Sequence, residues 1–241
     1  MNFEKKLREG LHPLYDQLLS SGIDRDNCVF CAQWGKNYPE NQREGILFVG
    51  KAVNGWLADG HDVDVLFNSA FNREDQMVWV QNLEGVTVTA DGKPAYNTKK
   101  SSFWRTIKRI ALGCRPDSED NWTSYIAWSN LYKVSPGEGN PGGVLKGKQS
   151  GYCKEILAKE IEILSPKYIV FLTSGWESDF LCYLNKNQPP QKIGEEAWGG
   201  YKSELYKIDG VYYIASYHPQ SKSESEHADA ILKLMHYSDN K

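Results

Sequence analysis

Four short motifs in this 241-residue chain carry residue types that can do chemistry, and each stands at the end of an apolar run. They are Gly50-Lys51-Ala52-Val53-Asn54-Gly55, Asn130-Leu131-Tyr132-Lys133, Thr173-Ser174-Gly175 and Tyr217-His218-Pro219-Gln220-Ser221. The first can bring backbone N–H groups close to a ligand, or it is a tight turn. It matches neither the Walker A pattern nor G-x-G-x-x-G. Asn130 ends a strand-like run that is otherwise mostly apolar. A buried asparagine must satisfy two donors and an acceptor, so it either caps the next loop or faces a ligand with adjacent donor and acceptor groups. A pyrimidine edge is such a ligand. His218, locked by Pro219 at the end of a strand-like run, is placed for electrostatic work on a ligand. His12, His227 and His236 read as helix-surface residues and His61 as part of a polar loop.

Cys28-x-x-Cys31 has metal-ligand spacing, but one pair needs two further ligands. Cys153 is a third candidate and Cys114 a fourth, while Cys182 falls on an apolar helix face. There is no G-x-S-x-G, no H-E-x-x-H and no evident Ser/His/Asp set. Lys99, Lys100, Arg105, Lys108 and Arg109 cluster with Phe103 and Trp104. They read either as a DNA-backbone patch with interleaved aromatics or as a solvated helix face.

The elements that must position these groups are legible from periodicity. Helical spacing marks 3–21 (with Pro13 able to break it), 102–112, 150–164, about 174–184 and about 223–237. Strand-like runs are 46–49, 125–131, 168–172 and the hairpin 204–208/211–216. A second hairpin is expected around 86–89 and 95–96, and 28–31 reads as part of a polar connector. Strands alternating with helices imply one α/β domain over 1–241, with an N-terminal helical segment over about 1–25. It should be a three-layer sandwich around a short, mainly parallel central sheet. In such folds ligands bind outside the carboxyl ends of the strands, where the four motifs fall.

Composition narrows the class. The chain is 40% apolar and 24% charged, with 8 Trp and 14 Tyr, which is globular rather than disordered. A net charge of −3 excludes a protein that holds nucleic acid by bulk charge, while leaving room for a local basic groove. No apolar run approaches the roughly 20 residues of a membrane span. The opening MNFEKKLREG is charged and lacks an apolar core, so no signal peptide and a cytoplasmic location are expected. The odd count of five cysteines fits free thiols or metal ligands better than disulfides. A monomer without membrane attachment is expected.

Taken in order, the motifs resemble the uracil-DNA glycosylase superfamily, most of all its iron–sulfur branch, often called family four. That branch carries an N-terminal C-x-x-C, a strand ending G-E-A-P-G, an aromatic before a helix, and a strand ending T-N-V-V-K-C-R-P-P. A helix opening with Cys, a P-K-x-I-V strand and a final H-P-S follow. Here the counterparts are Cys28-x-x-Cys31, Gly50 to Asn54, Tyr96 before Phe103-Trp104, and Ser129-Asn130-Leu131-Tyr132-Lys133-Val134-Ser135-Pro136. Cys153, Pro166-Lys167-Tyr168-Ile169-Val170 and His218-Pro219-Gln220-Ser221 complete the order, over roughly residues 25–225. No single motif is specific; the set and its order carry the resemblance.

The resemblance implies DNA repair by hydrolysis of the N-glycosidic bond of a flipped-out base. Asn130 would read the uracil edge, its C=O accepting from N3–H and its NH₂ donating to O4. His218 would hydrogen-bond O2 of the departing uracil anion, Tyr96 would stack on the base, and Gly50, Lys51 and Ala52 would line it. Three departures qualify this. The carboxylate that positions water in the first motif is replaced, since Lys51 and Ala52 stand there, which leaves Asn54 to hold a water. Val134 stands where a cluster cysteine belongs, so no cofactor is expected, and a degenerate iron–sulfur or zinc site would have to draw on Cys28, Cys31 and Cys153. Gln220 replaces the serine of H-P-S. The alternatives are a non-catalytic protein binding a nucleobase or nucleic acid on the same fold, and an unrelated α/β enzyme that shares the motif order.

Overall fold

The runs at 46–49, 126–128 and 168–172 are apolar at every residue, the composition of strands covered on both faces. In the computed structural model they lie at the centre of a seven-stranded sheet. The structure describes residues 3–39, 43–53, 55–56, 60–71, 74–81, 86–88 and 94–239, with the backbone alone at 86–88 and 94–96. The first third of the chain supplies α1 (Phe3–Leu19), β1 (Cys28–Val29), β2 (Gln33–Trp34), β3 (Ile46–Ala52), α2 (Val63–Ala70), β4 (Val86–Val88) and β5 (Pro94–Asn97). The middle supplies α3 (Ser102–Cys114), β6 (Ile126–Tyr132), β7 (Val134–Ser135), α4 (Gly143–Leu164) and β8 (Tyr168–Leu172). The remainder is α5 (Ser178–Leu184), β9 (Lys192–Trp198), β10 (Tyr201–Ile208), β11 (Val211–Ser216) and α6 (Glu224–Asp239).

The sheet order is β2-β6-β3-β8-β11-β10-β9. The pairings β6-β3, β3-β8 and β8-β11 are parallel, and antiparallel strands close both sides. Ile46, Ile126, Tyr168 and Tyr212 share one row of the register. Four residues on, Gly50 faces Asn130 and Leu172 faces Ser216, so the strand ends that the sequence singles out lie at one level.

Alternation along the strands sorts the core into two layers. Leu47, Val49, Ala127, Leu131, Ile169, Phe171, Tyr213 and Ala215 pack with α1, α2, α4 and α5. Phe48, Ile126, Trp128, Val170, Leu172 and Ile214 pack with α3 and α6. The result is an α/β sandwich of three layers. No described helix is long and apolar enough to cross a membrane.

Several elements differ from the sequence reading for identifiable reasons. Pro13 lies inside α1 without ending it, because Phe3, Leu7, Leu11, Tyr15 and Leu18 bury one continuous stripe. The segment around Cys28 and Cys31 is not a polar connector: every residue from Cys28 to Trp34 is buried, β1 pairs with β7 and β2 with β6. Helix α4 begins at Gly143, so Cys153 is internal rather than opening it. Helix α5 begins at Ser178, after Ser174 and Gly175 take left-handed φ of 57° and 88°. Strand β9 escapes the sequence reading because it is a charged, largely exposed edge, Lys-Ile-Gly-Glu-Glu-Ala-Trp.

His227 is the other correction. It is fully buried in α6 rather than at its surface. Its Nε2 lies 2.7 Å from Ser216 Oγ, and its ring stacks on Trp198 at 4.0 Å between centroids. Burial first, then the charges of Lys222 and His218, push its imidazole down to about 3. The folded state therefore holds His227 neutral, whereas the unfolded chain takes up the proton near pH 6.5. The stability this contributes is complete above about pH 6.5 and falls as pH drops toward 3, by at most about 1.4 kcal/mol per pH unit. His227→Gln should flatten that limb. Urea unfolding at pH 7.0 and 4.5 checks it, and an unchanged pH difference in the variant contradicts it.

Candidate functional site

The candidate site is built at the carboxyl ends of the parallel strands. Asn130 lies near the carboxyl end of β6, two residues before its last residue, on the face that carries Trp128, and Gly50 is its register partner on β3. A Cβ at position 50 would overlap Asn130 Oδ1 and come within 3.4 Å of Phe103 Cζ. Position 50 must therefore be glycine for the Asn130 amide to lie across it. Asn130 is 2% exposed, and its Nδ2 has no hydrogen-bond partner among the described residues. An unsatisfied buried amide donor costs about 1–3 kcal/mol, which a ligand acceptor would recover.

Phe103 joins this corner to His218. The ring enters from the first turn of α3, whose Ser101 cap accepts the Trp104 N–H at 3.4 Å. It stacks on the His218 imidazole at 6.0 Å with 19° between planes. The loop carrying His218 is fastened to the end of β8, where Ser174 Oγ accepts the His218 backbone N–H at 2.8 Å. The Gln220 N–H reaches His218 Nδ1 at 3.3 Å. Nδ1 is thus an acceptor, and the proton of the neutral ring sits on Nε2. Burial, reinforced by the Lys51 and Lys222 cations, pushes the imidazole down to about 4, so the ring is a neutral Nε2–H donor at neutral pH.

Around this corner lies an aromatic wall that no sequence motif announces. Trp128 packs against Phe30, Trp56 and Trp104 at 4.7, 5.5 and 4.9 Å. Trp56 follows Gly55, whose φ of 69° turns the chain after β3. That turn is held where Ser135 Oγ donates to the Val53 carbonyl. Lys51 and Ala52 are the last residues of β3 rather than a loop. Asn54 lies outside the described residues, as does the side chain of Tyr96, whose backbone belongs to β5. Among the described aromatics, Phe103 is the one that touches both Gly50 and His218.

The opposite face of β6 holds a buried ion pair. Lys133 Nζ donates to Glu160 Oε2 at 2.8 Å, Ser129 Oγ at 2.7 Å and the Asn130 carbonyl at 2.8 Å, and neither charged side chain is exposed. The Asn130 backbone is therefore clamped from the face opposite to its amide.

Cys31 and Cys153 flank this pair. Burial pushes the Cys31 thiol far up and the Cys153 thiol to about 12. The Lys133 amide reaches Cys153 Sγ at 3.4 Å. Gln149 brackets the Val134 backbone, its Oε1 accepting at 2.9 Å and its Nε2 donating at 2.7 Å. This donor set does not fit a four-cysteine cluster: Val134 offers no ligand and an ammonium stands beside two of the thiols. Cys114 is remote, in the α3–α6 layer with its Sγ 3.8 Å from Met235 Sδ. Among the described residues no three His, Cys, Asp or Glu side chains group to hold a metal.

Of the basic cluster near α3, Arg105 forks onto Glu224 and Lys108 pairs with Glu119 at 3.6 Å, so two of its five charges are neutralised within the protein. Glu177, not singled out by sequence, is a buried carboxylate near Lys51, and its oxygen is taken by the Thr173 hydroxyl.

Gly50→Ala should leave the sheet intact and displace the Asn130 amide, at a cost of about 1–3 kcal/mol for overpacking. If a uracil-containing oligonucleotide is the ligand, as the resemblance implies, its binding should weaken by roughly tenfold or more, the worth of one good hydrogen bond. Unchanged affinity in a titration would remove Asn130 from the ligand site. In comparisons with known proteins, no family model and no curated protein matches this chain.

Proposed function

We propose that the chain is a DNA base N-glycosylase of the uracil-DNA glycosylase type, with a fold of that type, acting on a flipped-out base. The observation that carries the proposal is the pairing of a buried, unpartnered Asn130 amide with a neutral His218, joined by Phe103 over Gly50. Such an amide presents a fixed donor and acceptor, which complement O4 and N3–H of uracil and mismatch cytosine. Phe103 supplies the flat apolar surface against which a base stacks.

The chemistry follows from what is present. The C1′–N1 bond breaks with its electron pair leaving on the base. The His218 Nε2–H group donates to O2, where the negative charge collects. Water then adds to C1′ and gives up its proton to the departed uracil anion, through solvent, so that sugar hemiacetal and neutral uracil are the products. Since Lys51 and Ala52 offer no carboxylate, the barrier is lowered chiefly at the leaving group. No step calls for a cofactor. Lys51 at that position also favours a second reading, a nucleobase-binding protein that does not hydrolyse.

Single-turnover release of uracil from single- and double-stranded oligonucleotides separates the two. Base release supports the enzyme. Binding without release of any base supports the binder. Neither would set both aside.

A further inference from the structure

Two lysines from distant parts of the chain meet at Trp176, and a third lies beside the loop that carries His218. Lys51 ends β3 with its side chain on the α4 side of the sheet, Lys146 lies in the first turn of α4, and Lys222 follows β11. Lys51 Nζ and Lys146 Nζ both sit on the Trp176 ring, 5.0 and 4.2 Å from its centroid. Lys222 lies close enough to act on both Lys51 and His218, with its Nζ 4.9 Å from the Tyr201 ring and 3.2 Å from the Gln220 carbonyl. All three are half-buried. Among the described residues none of them forms an ion pair with a carboxylate, whereas Lys133, Lys167, Lys192 and Lys202 all do. The carboxylate that acts on Lys51, Glu177, makes no ion pair with it, and its Oε2 accepts from the Thr173 hydroxyl.

Like charges held together in partial burial repel, and the repulsion shows in Lys51. Its ammonium is pulled below the usual lysine range by burial and by Lys222 and Lys146, against the opposing pull of Glu177. An arrangement that leaves cations unpaired at a crevice mouth is stabilised by an anion placed between them. Trp176 holds two of the ammonium groups in place by cation–π attraction while leaving their N–H donors free. The chain as a whole is acidic, at −3, so this patch runs against the overall balance.

We propose that Lys51, Lys146 and Lys222 form an anion site around Trp176 that holds a DNA phosphodiester flanking the nucleotide whose base meets Asn130. The identity of the anion as DNA rests on the proposed glycosylase function; the anion site itself rests on the lysines. The lysine then takes the place of the first-motif carboxylate by doing a different task, anchoring the backbone rather than activating water.

The test uses the full chain and two probes, a uracil-containing single-stranded oligonucleotide and inorganic pyrophosphate. Both should change Trp176 emission, assigned by its loss in Trp176→Phe, which keeps a ring beneath the cations. The triple variant Lys51→Met/Lys146→Met/Lys222→Met should bind the oligonucleotide at least roughly tenfold more weakly. Its dependence of log K on log salt should be shallower by about 0.7, the contribution of the one phosphate that is no longer neutralised. Lys159→Met, which removes a surface lysine paired with Glu162, should change neither. Circular dichroism and a urea transition confirm that each variant folds. If oligonucleotide affinity and salt slope are unchanged in the folded triple variant, the anion site is overturned. If pyrophosphate perturbs Trp176 in a lysine-dependent way but no oligonucleotide binds, the anion site stands and the DNA reading fails.

Discussion

Lys133→Met is expected to destabilise the protein by about 3–5 kcal/mol, because it leaves Glu160 as an uncompensated buried charge. Glu160 is wholly buried, and one of its oxygens, Oε1, has no partner among the described residues. Its other oxygen relies on Lys133 Nζ and on the Ser129 hydroxyl, at 2.8 and 2.7 Å. Removing the ammonium leaves one hydroxyl to solvate a carboxylate. Glu160→Leu should cost a comparable amount for the mirror-image reason. The double variant Lys133→Met/Glu160→Leu should recover most of the loss, since an apolar pair of similar volume is often neutral or even stabilising in place of a buried ion pair. Urea unfolding of the three variants closes the cycle. A double variant as unstable as the sum of the singles would show that the pair is not the unit described.

The same experiment bears on the site. Lys133 also holds the Asn130 carbonyl, so the pair fixes the backbone from which the unpartnered amide projects. A double variant that regains stability yet binds oligonucleotide more weakly would show that the buried charges are kept for positioning rather than for stability.

How much of this is legible in the sequence depends on the range over which the signal acts. The parallel strands are legible because a strand covered on both faces must be apolar at every position, as 168–172 is. The level of Asn130 and His218 is legible because each lies near the carboxyl end of a parallel strand, Asn130 within β6 and His218 two residues after β11. The ion pair is not. Neither Lys133 nor Glu160 carries a local mark of burial, since burial of one is tolerable only with the other, and 27 residues separate them. Phe103 reads as an aromatic of the basic cluster at the start of a helix, with Tyr96 as the expected stacking ring, and nothing local marks it as the ring between Gly50 and His218. Lys51, Lys146 and Lys222 are single lysines in three different segments. His227 carries the periodicity of a surface position, and only Ser216 and Trp198 explain its burial. What the sequence does not show is the set of contacts between polar groups distant along the chain.

If base release is the activity, His218→Ala should slow the single-turnover rate by roughly a hundredfold to a thousandfold, the cost of losing one preorganised donor to a developing anion, about 3–4 kcal/mol. The geometry makes the prediction sharper than a general appeal to histidine. Nδ1 accepts from Gln220, so Nε2 carries the only ring proton, and the ring's pKa of about 4 keeps it neutral across the physiological range. A neutral donor does not titrate between pH 5 and 8, so the His218-dependent part of the rate should be flat there. If His218 instead served as a charged acid, the rate would fall as pH rises above about 4. The pH profile of wild type against His218→Ala therefore tests the mode of action as well as the residue. Asn130→Asp is the companion variant. An ionised carboxylate accepts but cannot donate, so it should lose the O4 hydrogen bond and weaken uracil reading by the worth of at least one such bond, about 1–3 kcal/mol when the partner is left unsatisfied. A His218→Ala rate within roughly threefold of wild type, well short of the expected hundredfold, with uracil released normally, would move the leaving-group role to another residue and leave Asn130 as a binding group alone.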